Sequence, residues 1–333
     1  MSRRFLALAV AVTIGLTPLA GCGQDEPAKS NGKKAAEPAT SPPLTAVPVG
    51  TTRAVGALPQ GIVYDAKTDS LAVAVRDPYR LLVLDPRTLA PRRSVELPGK
   101  VRHLQVTTEG GTALVPTETA DKIFEVDLAT GRARATDVER HPHDAAGTDT
   151  GDVLSGNEFS GSISVVRRGR VVHTFDDLRQ PGGVLAAGDL AVAVDVGDYT
   201  VTTYDLDTEK RVARVPAGKG PTHGVLAGDG RIAVTDTRGD QVLLYTLDPL
   251  RQIGRLPLAG SPYGIAGDPT TKTVWVTLTA KNLLVGLDVS GTSPRVIASI
   301  ATVRQPDTVA VSPGARTLWV TGTKDGVVQR ITR

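Results

Sequence analysis

Residues 221–260 read PTHGVLAGDGRIAVTDTRGDQVLLYTLDPLRQIGRLPLAG, and this stretch decides the fold. A Pro-containing turn opens it and a short apolar run follows. Three alternating segments come next: RIAVTD at 231–236, LLYTLD at 243–248 and IGRLPLAG at 253–260. Alternation with period two marks strands that bury one face, and no 3.6-residue periodicity competes with it. Forty residues therefore carry four short strands separated by turns.

The unit recurs along the chain. Equivalent turns begin near Pro59, Val101, Pro142, Pro181, Pro221, Pro262 and Pro306, spaced 39 to 44 residues apart. Second strands repeat as SLAVAV (70–75), DLAVAV (189–194), TVWVTL (273–278) and TLWVTG (317–322), and third strands run to Asp85, Asp127, Asp207, Asp248 and Asp288. Regular repetition of four-stranded units predicts a seven-bladed β-propeller over residues 48–333. The last unit has room for three strands only. Its missing outer strand is expected from residues 51–58 at the other end of the domain, which closes the ring and hides a sheet edge.

The pattern P-x-G-[IV]-A, then a turn, [LV]-x-V-[TA] and a strand ending near Leu-Asp resembles the YVTN-type propellers, including YncE-like proteins. The signature survives only as Trp275-Val-Thr-Leu and Trp319-Val-Thr-Gly. The resemblance covers residues 51–333 and implies fold rather than activity. Trp275 and Trp319 replace Ala72, Leu114, Ala191 and Ala233 in register, which predicts inter-blade core. The third repeat departs most, with Asp152-Val-Leu-Ser-Gly-Asn157 in place of an apolar second strand.

The N-terminus reads as an address. Arg3 and Arg4 precede an apolar run, Phe5 to Leu16, that is short for a membrane span, and Leu19-Ala20-Gly21-Cys22 resembles a bacterial lipobox. The only Cys of the chain stands where that motif needs a thiol. This predicts a leader over 1–21 and a lipid-modified Cys22. Residues 22–47, rich in Pro, Ala and Lys, are expected to form a disordered tether. The location expected is extracytoplasmic, in the outer leaflet of the cell membrane of a Gram-positive actinobacterium, an inference from the Arg-, Ala- and Gly-rich composition. The partners expected are membrane lipid through Cys22 and an unknown protein, peptide or small molecule at the propeller face, with the domain a monomer.

Among 333 residues there are 38 basic and 35 acidic side chains, and loss of Arg3 and Arg4 with a leader brings the domain to +1. Such a balance excludes a polyanion-binding excess. One Cys excludes an intrachain disulfide or a cysteine zinc cluster. No Gly-rich phosphate loop, HExxH or G-x-S-x-G occurs. The basic run Arg167-Arg168-Gly169-Arg170 reads as a hairpin turn, and no nucleic-acid partner is expected.

Loops leading into inner strands, and loops joining second to third strands, share one propeller face around the channel. The first set presents Gln60, Arg102, His103, His143, Asp144, His223, Tyr263 and Asp307. The second adds Glu118 and Glu158. All of these but Arg102 are the candidate ligand-binding residues, and no catalytic residue is assigned. His141 and His173 are expected at the surface. Imidazole and carboxylate suit zinc-like ions, yet His103, His143 and His223 belong to repeats two, three and five, and Gly182 between the last two offers no ligand. No metal or cofactor is therefore expected. The chain reads as a binding or interaction scaffold; the competing class is a metal-dependent lyase or hydrolase with its site at the channel mouth.

Overall fold

The computed structural model describes residues 33–333. The leader and Cys22 lie outside the described residues.

Seven four-stranded antiparallel sheets form a closed ring. Blade one comprises Ile62–Asp65, Ser70–Val75, Arg80–Leu84 and Pro91–Glu96; blade five comprises Pro221–Gly228, Arg231–Asp236, Gln241–Leu247 and Leu250–Pro257. In each blade the first strand is innermost. Blade seven takes Pro306–Val311, Thr317–Gly322 and Val327–Thr332 from the C-terminus and Thr51–Ala54 from the N-terminal side. Thr51 pairs with Arg330 and Ala54 with Val327, so the ring is closed by backbone hydrogen bonds as expected. The closing strand is shorter than residues 51–58. Val55 and Gly56 donate to the Gly326 carbonyl, and Ala57 then bridges to Arg76 of blade one.

Alternation explains the packing. Every blade buries both faces against its neighbours, and seven apolar clusters fill the seven seams. Trp275 and Trp319 are both core residues, as predicted. Trp319 stacks on Tyr64 of blade one and donates from its indole to the Pro86 carbonyl at 2.8 Å. Trp275 pairs with Gly286, where an added Cβ would meet the indole at 2.7 Å. The recurrent acidic residue after the third strand accepts from backbone amides of the following turn, as Asp85 does from Arg87 and Thr88. In blade four that role falls to Asp205 rather than Asp207.

The atypical second strand of blade three, Val153–Asn157, is a buried strand with a polar lining. Ser155 donates to the Asn157 side-chain carbonyl, and the Asn157 amide donates to Ser162 and Ser164. The seam between blades two and three has the smallest apolar cluster: Leu114, Ile123, Ala145, Val153 and Val166.

One sequence expectation is corrected. Residues 33–47 do not behave as a disordered tether; they run across the upper face from blade four to blade seven. Lys33 donates its amide to the Gly197 carbonyl, and Tyr199 and Arg238 donate to the Lys34 carbonyl. Ser41 is buried, donating its hydroxyl to Thr279 and accepting from the Gln305 amide. Composition predicted disorder because Pro, Ala and Ser cannot build a core of their own. A preformed propeller face supplies the missing partners.

Candidate functional site

The inner strands begin irregularly. Pairing with the second strand slips between Pro142 and Asp144, Pro181 and Gly183, Pro221 and Gly224, Pro262 and Ile265, and Pro306 and Val309. Proline cannot donate to the ladder, and a bulge re-aims the residues that follow it. His143, His223, Tyr263 and Asp307 occupy these bulges and are buried. They line the upper end of the channel inside the ring instead of standing out from the face.

Three histidines meet there. The His103 ring lies 4.9 Å from that of His143 and 4.3 Å from that of His223, centroid to centroid. One nitrogen from each falls within 4.8 Å of the others. The expectation that blades two, three and five hold these rings apart is therefore overturned. Both bulged histidines turn inward, and the ring is narrow enough at this level for imidazoles to touch across it.

The nitrogens are differently committed. His143 Nδ1 lies 2.9 Å from Glu118 Oε1 and 3.1 Å from Glu158 Oε2. His223 Nδ1 lies 3.1 Å from the Tyr263 carbonyl, which accepts its proton, and the Tyr263 ring meets the imidazole edge-on. His103 Nε2 is buried with no hydrogen-bond partner. Burial pushes the His103 imidazole well below its ordinary value, with His223 and His143 adding repulsion. Burial likewise takes His223 down to about 3, so both rings are neutral. Burial opposes charging of His143 too, but Glu158 and Glu118 outweigh it and raise the group to about 9.

Glu118 and Glu158 stand one residue after the ends of their second strands, Thr112–Thr117 and Val153–Asn157. In blades four and five the strand-end carboxylates Asp195 and Asp236 instead close their own loops, accepting from the amides of Gln180 and Lys219. Glu118 is fully buried, 2.6 Å from Lys100 Nζ, with Arg102 at 3.7 Å. Burial alone would raise it; the bonded His143, Lys100 and Arg102 hold it down at about 2.

The remaining candidates complete the ring. Gln60 donates to Asp307 at 3.3 Å and accepts from Arg76, and burial raises Asp307 to about 6. Asp144 accepts from the amides of Val184 and Ala145 and from Gln105, with burial raising it to about 6. Arg102 lies 3.7 Å from Glu37 of the segment crossing the upper face.

His141 was missed by sequence reasoning. Its side chain is 13 % exposed, its Nδ1 is 3.2 Å from Glu158, and its ring stacks on Phe159 at 3.9 Å. The signal was the pair His141-Pro142-His143. Its φ of 60°, shared in sign by Ser261 and Gln305 before their own prolines, folds the side chain back toward the channel. His173, by contrast, sits on the outer strand beside Glu209 as expected.

Below this cluster the channel opens to the lower face as a cavity of about 700 Å³. Its wall includes Ile62, Leu104, Leu185, Val225, Ile265 and Val309, together with the polar side chains of Gln105, Thr107, Thr108, Asp144, Asp149 and His223.

Fold and site together define a seven-bladed β-propeller with a buried histidine–carboxylate cluster at one end of its channel. No family model matches the sequence, and no curated protein does. Solved structures are similar in fold. A chain of Kuenenia stuttgartiensis hydrazine synthase superposes with a TM-score of 0.73 at 17 % identity, covering 87 % of this chain and 99 % of that one. A chain of a mitotic checkpoint complex gives 0.74 at 13 % identity, covering 90 % and 99 %, and U3-55K gives 0.74 at 13 %, covering 86 % and 100 %.

Proposed function

We propose that this chain is a lipid-anchored extracytoplasmic binding propeller of the YVTN kind that takes a small, largely apolar ligand into its channel from the lower face. The carrying observation is the lumen itself. It is about 700 Å³, with apolar residues such as Ile62, Leu104, Leu185, Val225 and Ile265 making much of its wall and polar side chains, among them Gln105, Asp144 and His223, set between them. Ligand pockets typically have such a size and such a division between apolar wall and few polar anchors. Anchoring rests on the Leu19-Ala20-Gly21-Cys22 motif.

A neutral naphthylamine dye tests the lumen. Saturable one-to-one binding that is lost in Val225→Trp supports the reading; unsaturable binding, or binding indifferent to that substitution, overturns it. Cys22→Ser tests the anchor separately: it should abolish fatty-acid labelling, and retained labelling would refute the lipobox.

A second reading, metal-dependent elimination or hydrolysis in the same channel, is favoured by the convergence of His103, His143 and His223 beside Glu118 and Glu158.

A further inference from the structure

We propose that His103, His143 and His223 form a binding site for one late first-row divalent cation, of the zinc, cobalt, nickel or copper class, with Glu118, Glu158 and the Tyr263 carbonyl as its outer shell. The site does not depend on the lumen ligand, so failure of dye binding leaves it standing.

Ring orientation is the first support. A metal-bound imidazole almost always gives its second N–H to a carboxylate or a backbone carbonyl, which fixes the tautomer and aims the other nitrogen. Both arrangements occur in this cluster. His143 Nδ1 is taken by Glu118 and Glu158, and His223 Nδ1 by the Tyr263 carbonyl. Each leaves Nε2 for a ligand, His143 releasing its second proton as the metal binds.

The second support is an orphan. Buried polar atoms are nearly always paired, and an unpaired one costs its full desolvation. His103 Nε2 is buried and unpaired, on a ring whose centroid lies 4.9 Å from that of His143 and 4.3 Å from that of His223. Three rings packed this closely gain nothing from one another; a cation among them satisfies all three.

Distances and charge agree. Zn–N bonds of roughly 2.0–2.1 Å place tetrahedral ligand nitrogens about 3.3 Å apart, so nitrogens within 4.8 Å need close by only about 1.5 Å at most. Two buried carboxylates behind His143 supply negative charge in a dry site. An all-imidazole inner set selects the late transition metals over calcium or magnesium, which require oxygen ligands. Because His223 also lines the lower cavity, an ion has a route in, and a fourth ligand has a place from which to approach.

Untagged full-length protein, stripped with chelator and titrated with Co²⁺ and then Zn²⁺, tests the site. The expected result is one ion per chain, with a visible Co²⁺ spectrum of low-coordinate nitrogen ligation that Zn²⁺ displaces. His103→Ala and His223→Ala should each abolish the spectrum. Glu158→Gln should weaken binding by roughly 10–100-fold, as outer-shell changes do. Circular dichroism melts in chelator establish that each variant is folded. His141→Gln separates this site from the neighbouring group of Glu118, His141, His143 and Glu158 and should leave Co²⁺ binding intact. Absence of stoichiometric binding overturns the proposal. So does binding that survives in folded His103→Ala and His223→Ala, or that is lost in His141→Gln while His103→Ala retains it.

Discussion

His143, at the start of blade three, brings Nδ1 to 2.9 Å from Oε1 of Glu118, just past the second strand of blade two, in an ion pair whose carboxylate no solvent reaches. Two residues 25 positions apart in the chain thus make an interblade ion pair where the apolar seam is thinnest. Buried pairs of this kind are costly to break, because loss of one partner strands the other's charge.

The pair predicts a pH profile in chelator. His143 is raised from 6.5 to about 9, so its contribution to stability is complete below 6.5 and lost as pH rises through about 9. Glu118 is lowered from 4.5 to about 2, so its contribution is complete above 4.5 and lost as pH falls through about 2. Both contributions are full only between 4.5 and 6.5. The difference in urea midpoint between wild type and Glu118→Gln should be greatest in that window and shrink on either side of it, His103, His223, Asp144 and Asp307 titrating in both proteins, and the variant's acid limb should be flatter. An unchanged acid limb in the variant would remove Glu118 from the account.

The segment over the upper face makes a second prediction. Ser41→Ala leaves the buried Thr279 carbonyl without its hydroxyl donor and takes one of two acceptors from the half-buried Gln305 amide, which keeps Asn282 Oδ1. The expected loss is about 1–3 kcal/mol, read from denaturant unfolding. A change below about 0.5 kcal/mol would mean that residues 33–47 do not hold this position in solution.

Ring closure is tested at a glycine. Gly326 has φ of 66°, and an added Cβ would stand 2.6 Å from the Gly56 carbonyl oxygen at the seam where the two ends of the domain meet. Gly326→Ala should cost about 1–3 kcal/mol from backbone strain and overpacking together. A neutral substitution would argue against the closing contact.

A further test concerns Trp275 and its partner. Gly286→Ala drives a methyl group into the indole, with three ring atoms at 2.7, 2.8 and 3.0 Å. Thermal denaturation should report destabilisation of about 1–3 kcal/mol. Gly286→Ala combined with Trp275→Phe should recover part of that loss, because the smaller ring vacates the space. No recovery would show that the contact is not the cause.

Sequence alone determined the architecture of this protein. Period-two alternation in segments such as 231–236, repeated at about forty residues, admits only blades, and the count of strands in the last repeat already calls for a closing strand from the N-terminal side. It also placed Trp275 and Trp319 in the core, because burial follows from register. What the candidate residues do together was decided by tertiary structure. Bulges after Pro142 and Pro221 aim His143 and His223 across a narrow lumen onto His103, and a left-handed His141 folds inward beside them. Repeat register gives the blade on which a residue sits; it carries neither the diameter of the ring nor the direction of a bulged side chain. The same limit applies to residues 33–47, whose composition cannot support a core alone and whose order comes from partners on blades four to seven.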